Sequence, residues 1–161
     1  MFFKKEKQNN WLMLVILVFI PLLVGGLSSA SVMTDQSVQY SSFVQPDFAP
    51  PSWLFGPVWS LLYIMMGVAS YLVWRSKDKK KKDALFLYFL QLVFNFCWTL
   101  IFFGLRRFDI AFVEIVFLWG LIFANIILFW RIDKRAGWLL IPYILWVSFA
   151  SMLNFSIWIL N

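Results

Sequence analysis

Five stretches of this chain are each apolar and long enough to cross a lipid bilayer, which constrains the fold more than any other feature. They run over about 11–27, 56–74, 84–103, 110–130 and 137–160. A crossing helix needs roughly 20 mostly apolar residues. In hydrocarbon no water satisfies backbone N–H and C=O groups, so each stretch must close its own hydrogen bonds as a helix. Of the 161 residues, 62% are hydrophobic and 14% charged. A soluble domain has about 45–50% and about 25%, and a core of this size could not hide the excess. The expected fold is an all-α integral membrane protein, with residues 1–161 forming one membrane domain. It is a five-transmembrane-helix bundle with a long external loop between helices 1 and 2.

The connectors set the orientation. Segment 28–55 is long and mixed, rich in Ser and carrying Pro46, Pro50 and Pro51. Loops beyond about 12–15 residues are uncommon unless functional. The other connectors are short and basic. With five spans, the N-terminus shares a side with the second and fourth connectors. That side holds Lys4, Lys5, Lys7, Arg75, Lys77, Lys79, Lys80, Lys81, Lys82, Arg131, Lys134 and Arg135, and the opposite side only Arg106 and Arg107. Basic residues concentrate in cytoplasmic connectors. The N-terminus is thus expected to be cytoplasmic, and the long loop and the C-terminus external. The basic connectors and the absence of an organelle-targeting segment fit a bacterial plasma membrane. Anionic lipid explains the net charge of +6, with no nucleic-acid partner needed. An alternative stays open for the first span. Basic residues, an apolar run and then Ser28-Ser29-Ala30 also fit a signal peptide, whose cleavage would leave four spans.

The chain has no His and one Cys, Cys97. His-based acid–base chemistry, His metal ligands and His-ligated haem are therefore excluded. An intrachain disulfide and a multi-Cys metal site are excluded too. No metal site and no required cofactor are expected, and no nucleophile–base pair stands out. Aromatic rings are the abundant resource, with ten Trp among them. Trp11, Trp74, Trp130, Trp138 and Trp158 fall near span ends, at the headgroup level that Trp prefers. Trp59 and Trp98 lie deeper, Trp119 and Trp146 nearer the middle, and Trp53 is in the loop. Such rings suit a pocket for a large flat apolar ligand.

Polar residues inside a membrane are costly, and each raises a functional hypothesis. Those here are Gln91, Asn95, Glu114, Asn125 and Asn154. At ~1.5 Å per helical residue, Trp59, Tyr63, Asn95, Trp98, Glu114, Ala150 and Asn154 all lie between roughly 5 and 15 Å below the loop side. Trp59 and Tyr63 are four apart and share a face. Gln91, Asn95 and Trp98 form a second stripe. Trp146, Ala150 and Asn154 form a third, in which a small residue leaves room between a ring and an amide. Any one stripe is better explained by helix packing. Three at one depth beneath one loop point to a cavity. Glu114 has two open readings: an interfacial carboxylate one turn from Asp109, or an acid lining that cavity.

The run Pro46-Asp47-Phe48-Ala49-Pro50-Pro51-Ser52-Trp53-Leu54-Phe55-Gly56-Pro57-Val58-Trp59, continuing to Leu62-Tyr63 and Gly67, resembles the signature of the TspO/MBR family. These are the translocator proteins, also called tryptophan-rich sensory proteins or peripheral-type benzodiazepine receptors. Gln91, Asn95, Trp98, Phe102-Phe103-Gly104 and Ala111-Phe112-Val113-Glu114 resemble it as well. So do Leu140-Ile141-Pro142-Tyr143, Trp146, Phe149-Ala150 and Leu153-Asn154. The likeness is close over about residues 43 to 161 and only positional for the first span. It implies a five-helix bundle, often dimeric, with a pocket under the first loop. The ligands it implies are porphyrins such as protoporphyrin IX and flat isoquinoline carboxamide or benzodiazepine-type drugs. The implied ligand-binding residues are Trp59, Tyr63, Asn95, Trp98, Glu114, Trp146, Ala150 and Asn154, with Pro50, Pro51 and Trp53 in the lid. Two departures stand out. Phe48 occupies a loop position where the family often has Trp, so a ring is kept and an N–H donor lost. The stretch 153–158 lacks the Tyr and basic residue of the animal cholesterol motif.

Three functions compete. The first is a tetrapyrrole-binding membrane protein acting as sensor, regulator or carrier. The second is a light- and oxygen-dependent porphyrin-degrading enzyme, for which the resemblance implicates Trp59 and Trp146. The third is a transporter proper, with Glu114 as the one residue that resembles an ion-coupling group. Gly120 and Ala124, a small-xxx-small pair, suit either a homodimer interface or internal packing.

Overall fold

A computed structural model describes residues 10–32 and 36–161 of the chain. Lys4, Lys5 and Lys7, which weigh in the orientation argument, lie outside the described residues. Five long helices make the bundle: α1 (Asn10–Ala30), α3 (Phe55–Trp74), α4 (Lys81–Thr99), α5 (Phe108–Ile132) and α6 (Lys134–Leu160). A short helix, α2 (Gln36–Ser42), and a single 3-10 turn (Ser52–Leu54) lie in the long first connector. All five long helices are long and apolar enough to span a membrane. No strand occurs among the described residues.

All five helices start before the apolar stretches that announce them, because a flanking polar residue does not stop a helix, while α4 gives way at Leu100, inside the third expected span. α4 starts inside the lysine run. α6 starts at Lys134, where the Asp133 carboxylate accepts the Arg135 backbone N–H at 2.9 Å. The Arg135 guanidinium closes on the same carboxylate at 2.9 Å. These contacts hold the Asp133 carboxyl below its ordinary range. Pro21 in α1 and Pro142 in α6 leave both helices unbroken, as membrane helices allow.

Around the bundle the order is α1, α3, α6, α5, α4, and α4 returns to α1. Between membrane helices, close packing and interhelical hydrogen bonds drive association. At Gly67 the two backbones meet closely: a Cβ there would run into the backbone of Val18 and Leu17. α1 therefore lies directly on α3. Asn125 donates to the Ala84 carbonyl at 3.0 Å, joining α5 to α4. Away from the loop the interior is closed by fully buried Met66, Ala69, Val73, Tyr88, Phe129 and Ala136. Outer faces carry exposed Phe86, Phe117, Trp138, Leu145 and Met152, as a lipid-facing surface would. A Cβ at Gly120 would meet nothing within 4 Å. Gly120 is therefore not an internal packing position.

The loop end is built differently. After α4 the backbone widens into a π-turn, Leu100–Gly104, in which the Leu105 N–H reaches the Leu100 carbonyl at 2.9 Å. Arg106 then takes a left-handed conformation, φ 52°, and the chain reverses into α5. The first connector folds back over this end. Its Tyr40 and Phe43 pack with Phe102, Ala111, Leu153 and Ile157 in a small apolar cluster. Asn161 fastens it further. The Val44 N–H donates to the Asn161 side-chain oxygen at 3.0 Å, and the Asn161 amide donates to the Val44 carbonyl at 3.0 Å.

Candidate ligand-binding site

Beneath the folded connector lies a cavity of about 460 Å³. That is within the range of roughly 300–1,000 Å³ typical of small-molecule sites. Seven of the eight residues expected to bind ligand line it: Trp59, Tyr63, Asn95, Trp98, Trp146, Ala150 and Asn154. They come from α3, α4 and α6, brought to one depth by helical spacing.

The amides of the deep wall are bonded to the rings beside them. The Tyr63 hydroxyl donates to the Asn95 oxygen at 2.7 Å. The Asn95 amide donates to the Tyr143 hydroxyl at 3.3 Å, which donates to Gln91 at 2.8 Å. The Trp98 indole N–H donates to Asn154 at 3.0 Å, and the Asn154 amide donates to the Phe108 carbonyl at 2.9 Å. These bonds tie α3, α4, α5 and α6 together and settle why amides sit in hydrocarbon here. They also hold rings in place. Trp59 stacks on Tyr63 with centroids 5.4 Å apart, and Trp98 on Phe102 at 4.8 Å.

Other expected residues lie elsewhere. Glu114, on α5, does not line the cavity. Its two carboxyl oxygens are buried with no hydrogen-bond partner among the described residues. The expected lid residues Pro50, Pro51 and Trp53 do not line the cavity, and Trp53 is 70% exposed, while the neighbouring Ser52 does line it. Phe48 meets Phe149 edge-on at 6.3 Å. Trp119 bonds Ser148 at 2.8 Å on the outer side of α5 and α6.

Several lining residues escape a sequence reading. Gln36, Ser37 and Tyr40 descend from α2. Phe55, at the start of α3, packs edge-on against Tyr40 at 5.0 Å and Trp146 at 5.9 Å. Leu22, Gly25 and Gly26 come from α1. The adjacent glycines of α1 are the one sequence signal that could have marked that wall. Burial pushes the Tyr40 hydroxyl up to about 12, so the phenol keeps its proton. Among the lining residues none is charged.

Comparison with known proteins adds identity to this geometry. The model of the TspO/MBR family matches residues 16–159. The chain is 40% identical over 152 residues to the tryptophan-rich protein TspO of Chlorobaculum tepidum, covering 93% of this chain and 96% of that one. It is 38% identical over 154 residues to the TspO of Archaeoglobus fulgidus, covering 94% and 99%. It is 34% identical over 151 residues to the translocator protein of Sus scrofa, covering 92% and 89%.

Proposed function

The chain belongs to the TspO/MBR family of membrane proteins, and from that premise we propose that it binds a porphyrin-like tetrapyrrole or a related flat apolar molecule. Its role is that of sensor, regulator or carrier. One observation carries this reading: a cavity of about 460 Å³ walled by Trp59, Tyr63, Trp98, Phe102 and Trp146, with no charged residue lining it. Stacked rings suit a flat aromatic guest. With no His in the chain, ring contact and neutral hydrogen bonds hold the guest, and metal-free porphyrin fits those means.

The test is a titration of protoporphyrin IX against purified protein, followed by Trp fluorescence. Saturable quenching at a fixed stoichiometry supports the reading. Quenching that rises without saturation counts against it.

A second reading, light- and oxygen-dependent conversion of the bound porphyrin, is favoured by the presence of both Trp59 and Trp146 in one cavity wall. A discrete product on illumination, lost when both are replaced by Phe, supports that step. The basic connectors support a cytoplasmic N-terminus in a bacterial plasma membrane, which sets the cavity on the external side. The open surface at Gly120 supports pairing of two copies along α5.

A further inference from the structure

The cavity is not closed on every side, and its exposed lining residues mark where it opens. Among the described residues these are Gly26 and Ser29 on α1, Ser37 on α2, and Gly56 and Ser60 on α3. All five are Gly or Ser, and none comes from α4 or α6.

The packing of α1 on α3 sets four of them opposite one another. Gly67 meets Leu17 and Val18, and nearer the loop Tyr63 meets Gly25, so the two helices run antiparallel. Counted from the Gly67 contact at ~1.5 Å per residue, Ser60 and Gly26 both lie roughly 10–14 Å toward the loop, and Gly56 and Ser29 roughly 16–18 Å. Two pairs of small residues therefore stand across the seam at matching heights. A Cβ added at Gly26 or Gly56 would meet nothing within 4 Å. The Ser60 hydroxyl turns back onto the Gly56 carbonyl of its own helix at 2.9 Å. The seam is thus shut by backbone contact at Gly67 and open above it.

The flanks of this opening are apolar. Leu23 and Leu27 on α1 and Leu61 and Ile64 on α3 are exposed. The opening therefore faces hydrocarbon on the loop side of the bilayer. A flat apolar molecule leaves water for that phase, so its supply lies against the seam. A route through the roof would part the two Asn161–Val44 bonds and lift Tyr40 and Phe43 out of their apolar cluster. A guest crossing the seam has only Gly and Ser side chains to pass.

We infer that the α1–α3 seam at Gly26, Ser29, Gly56 and Ser60 is a lateral mouth through which a membrane-dissolved flat guest enters and leaves the cavity. This role rests on the flat-ligand reading above and adds the phase the guest comes from and the side by which it passes.

The test uses the full chain in liposomes, with Cys97→Ala and one new cysteine at a time: Gly26→Cys, Ser60→Cys or Ser37→Cys. Each is modified with N-cyclohexylmaleimide, which leaves a bulky apolar adduct. Stopped-flow Trp quenching gives the association rate of membrane-dissolved protoporphyrin IX, and transfer to excess empty vesicles gives its dissociation rate. The adduct at Gly26→Cys or at Ser60→Cys is expected to slow both rates about tenfold and so to leave the affinity nearly unchanged. The adduct at Ser37→Cys, on the roof side, is expected to change neither rate. Unchanged rates with either mouth adduct overturn the inference, and so does an adduct at Ser37→Cys that slows exchange as much. A mouth adduct that only speeds dissociation also overturns it, since the seam is then a wall and not a passage. In those cases a porphyrin still binds and the tetrapyrrole reading survives. If the unmodified protein binds no porphyrin, that reading falls and the inference falls with it.

Discussion

The ring of Tyr63 occupies the space where a side chain at Gly25 would stand: a Cβ added there would lie 2.8 Å from the Tyr63 Cζ and nearer still to its Cε2. The ring cannot swing away freely, because its hydroxyl is bonded to Asn95 at 2.7 Å. Gly25→Ala should therefore destabilise the bundle by about 1–3 kcal/mol, the usual cost of overpacking. Thermal unfolding in detergent measures this. Combined with Tyr63→Phe, which releases the ring, the loss should be smaller than the sum of the single losses.

Replacing Trp59 and Trp146 together by Phe should remove most of the fluorescence quenching produced by protoporphyrin while leaving the fold intact. Both are lining rings, and Phe keeps an aromatic surface at each position. Quenching that is unchanged in the double variant would place the porphyrin elsewhere.

Asn154 bridges the Trp98 indole on α4 to the Phe108 carbonyl at the start of α5. Asn154→Leu leaves the Trp98 indole N–H unmatched, and a buried orphan donor costs about 1–3 kcal/mol. A lower melting temperature is expected, with the larger loss in ligand affinity falling on probes that reach the Trp98 ring. Asn154→Asp, which keeps the acceptor and loses the donor, should separate the two bonds.

Asp133 caps α6, and its carboxyl is held below the ordinary range first by the Arg135 side chain. The charged form is thus the one that favours the fold. Its contribution is complete above the unfolded value and is lost as pH falls through the folded one. The difference in melting temperature between the protein and Asp133→Asn should be constant above about pH 5 and shrink below about pH 4. A difference that stays constant down to pH 3 would remove the carboxylate from the account.

The five helices are legible in the sequence because an apolar run in hydrocarbon has one way to satisfy its backbone. The clustering of Trp59, Tyr63, Asn95, Trp98, Trp146, Ala150 and Asn154 is legible for a related reason: rise and period together fix depth and face. Glu114 is less legible. A single acid has no partner three or four residues away to define a stripe, so depth left it open between an interfacial carboxylate and a cavity acid, and Glu114 is not among the residues that line the cavity. The wall from α1 and the ceiling from α2 were hidden in another way. Gly25 matters through the ring it makes room for, and Gln36 and Tyr40 through a connector that folds back. Neither relation has a local period. Phe55 likewise reads as the first residue of a span, and its role between Tyr40 and Trp146 exists only in three dimensions.

The two hydrogen bonds between Asn161 and Val44 couple the cavity roof to the last turn of α6. α6 ends at Leu160, one residue earlier. The Asn161 amide also donates to the Ile157 carbonyl at 2.9 Å, so one side chain both closes the last turn of α6 and holds the roof at Val44. Unwinding that turn would break both bonds, so the order of the roof and the order of the last turn of α6 rise and fall together.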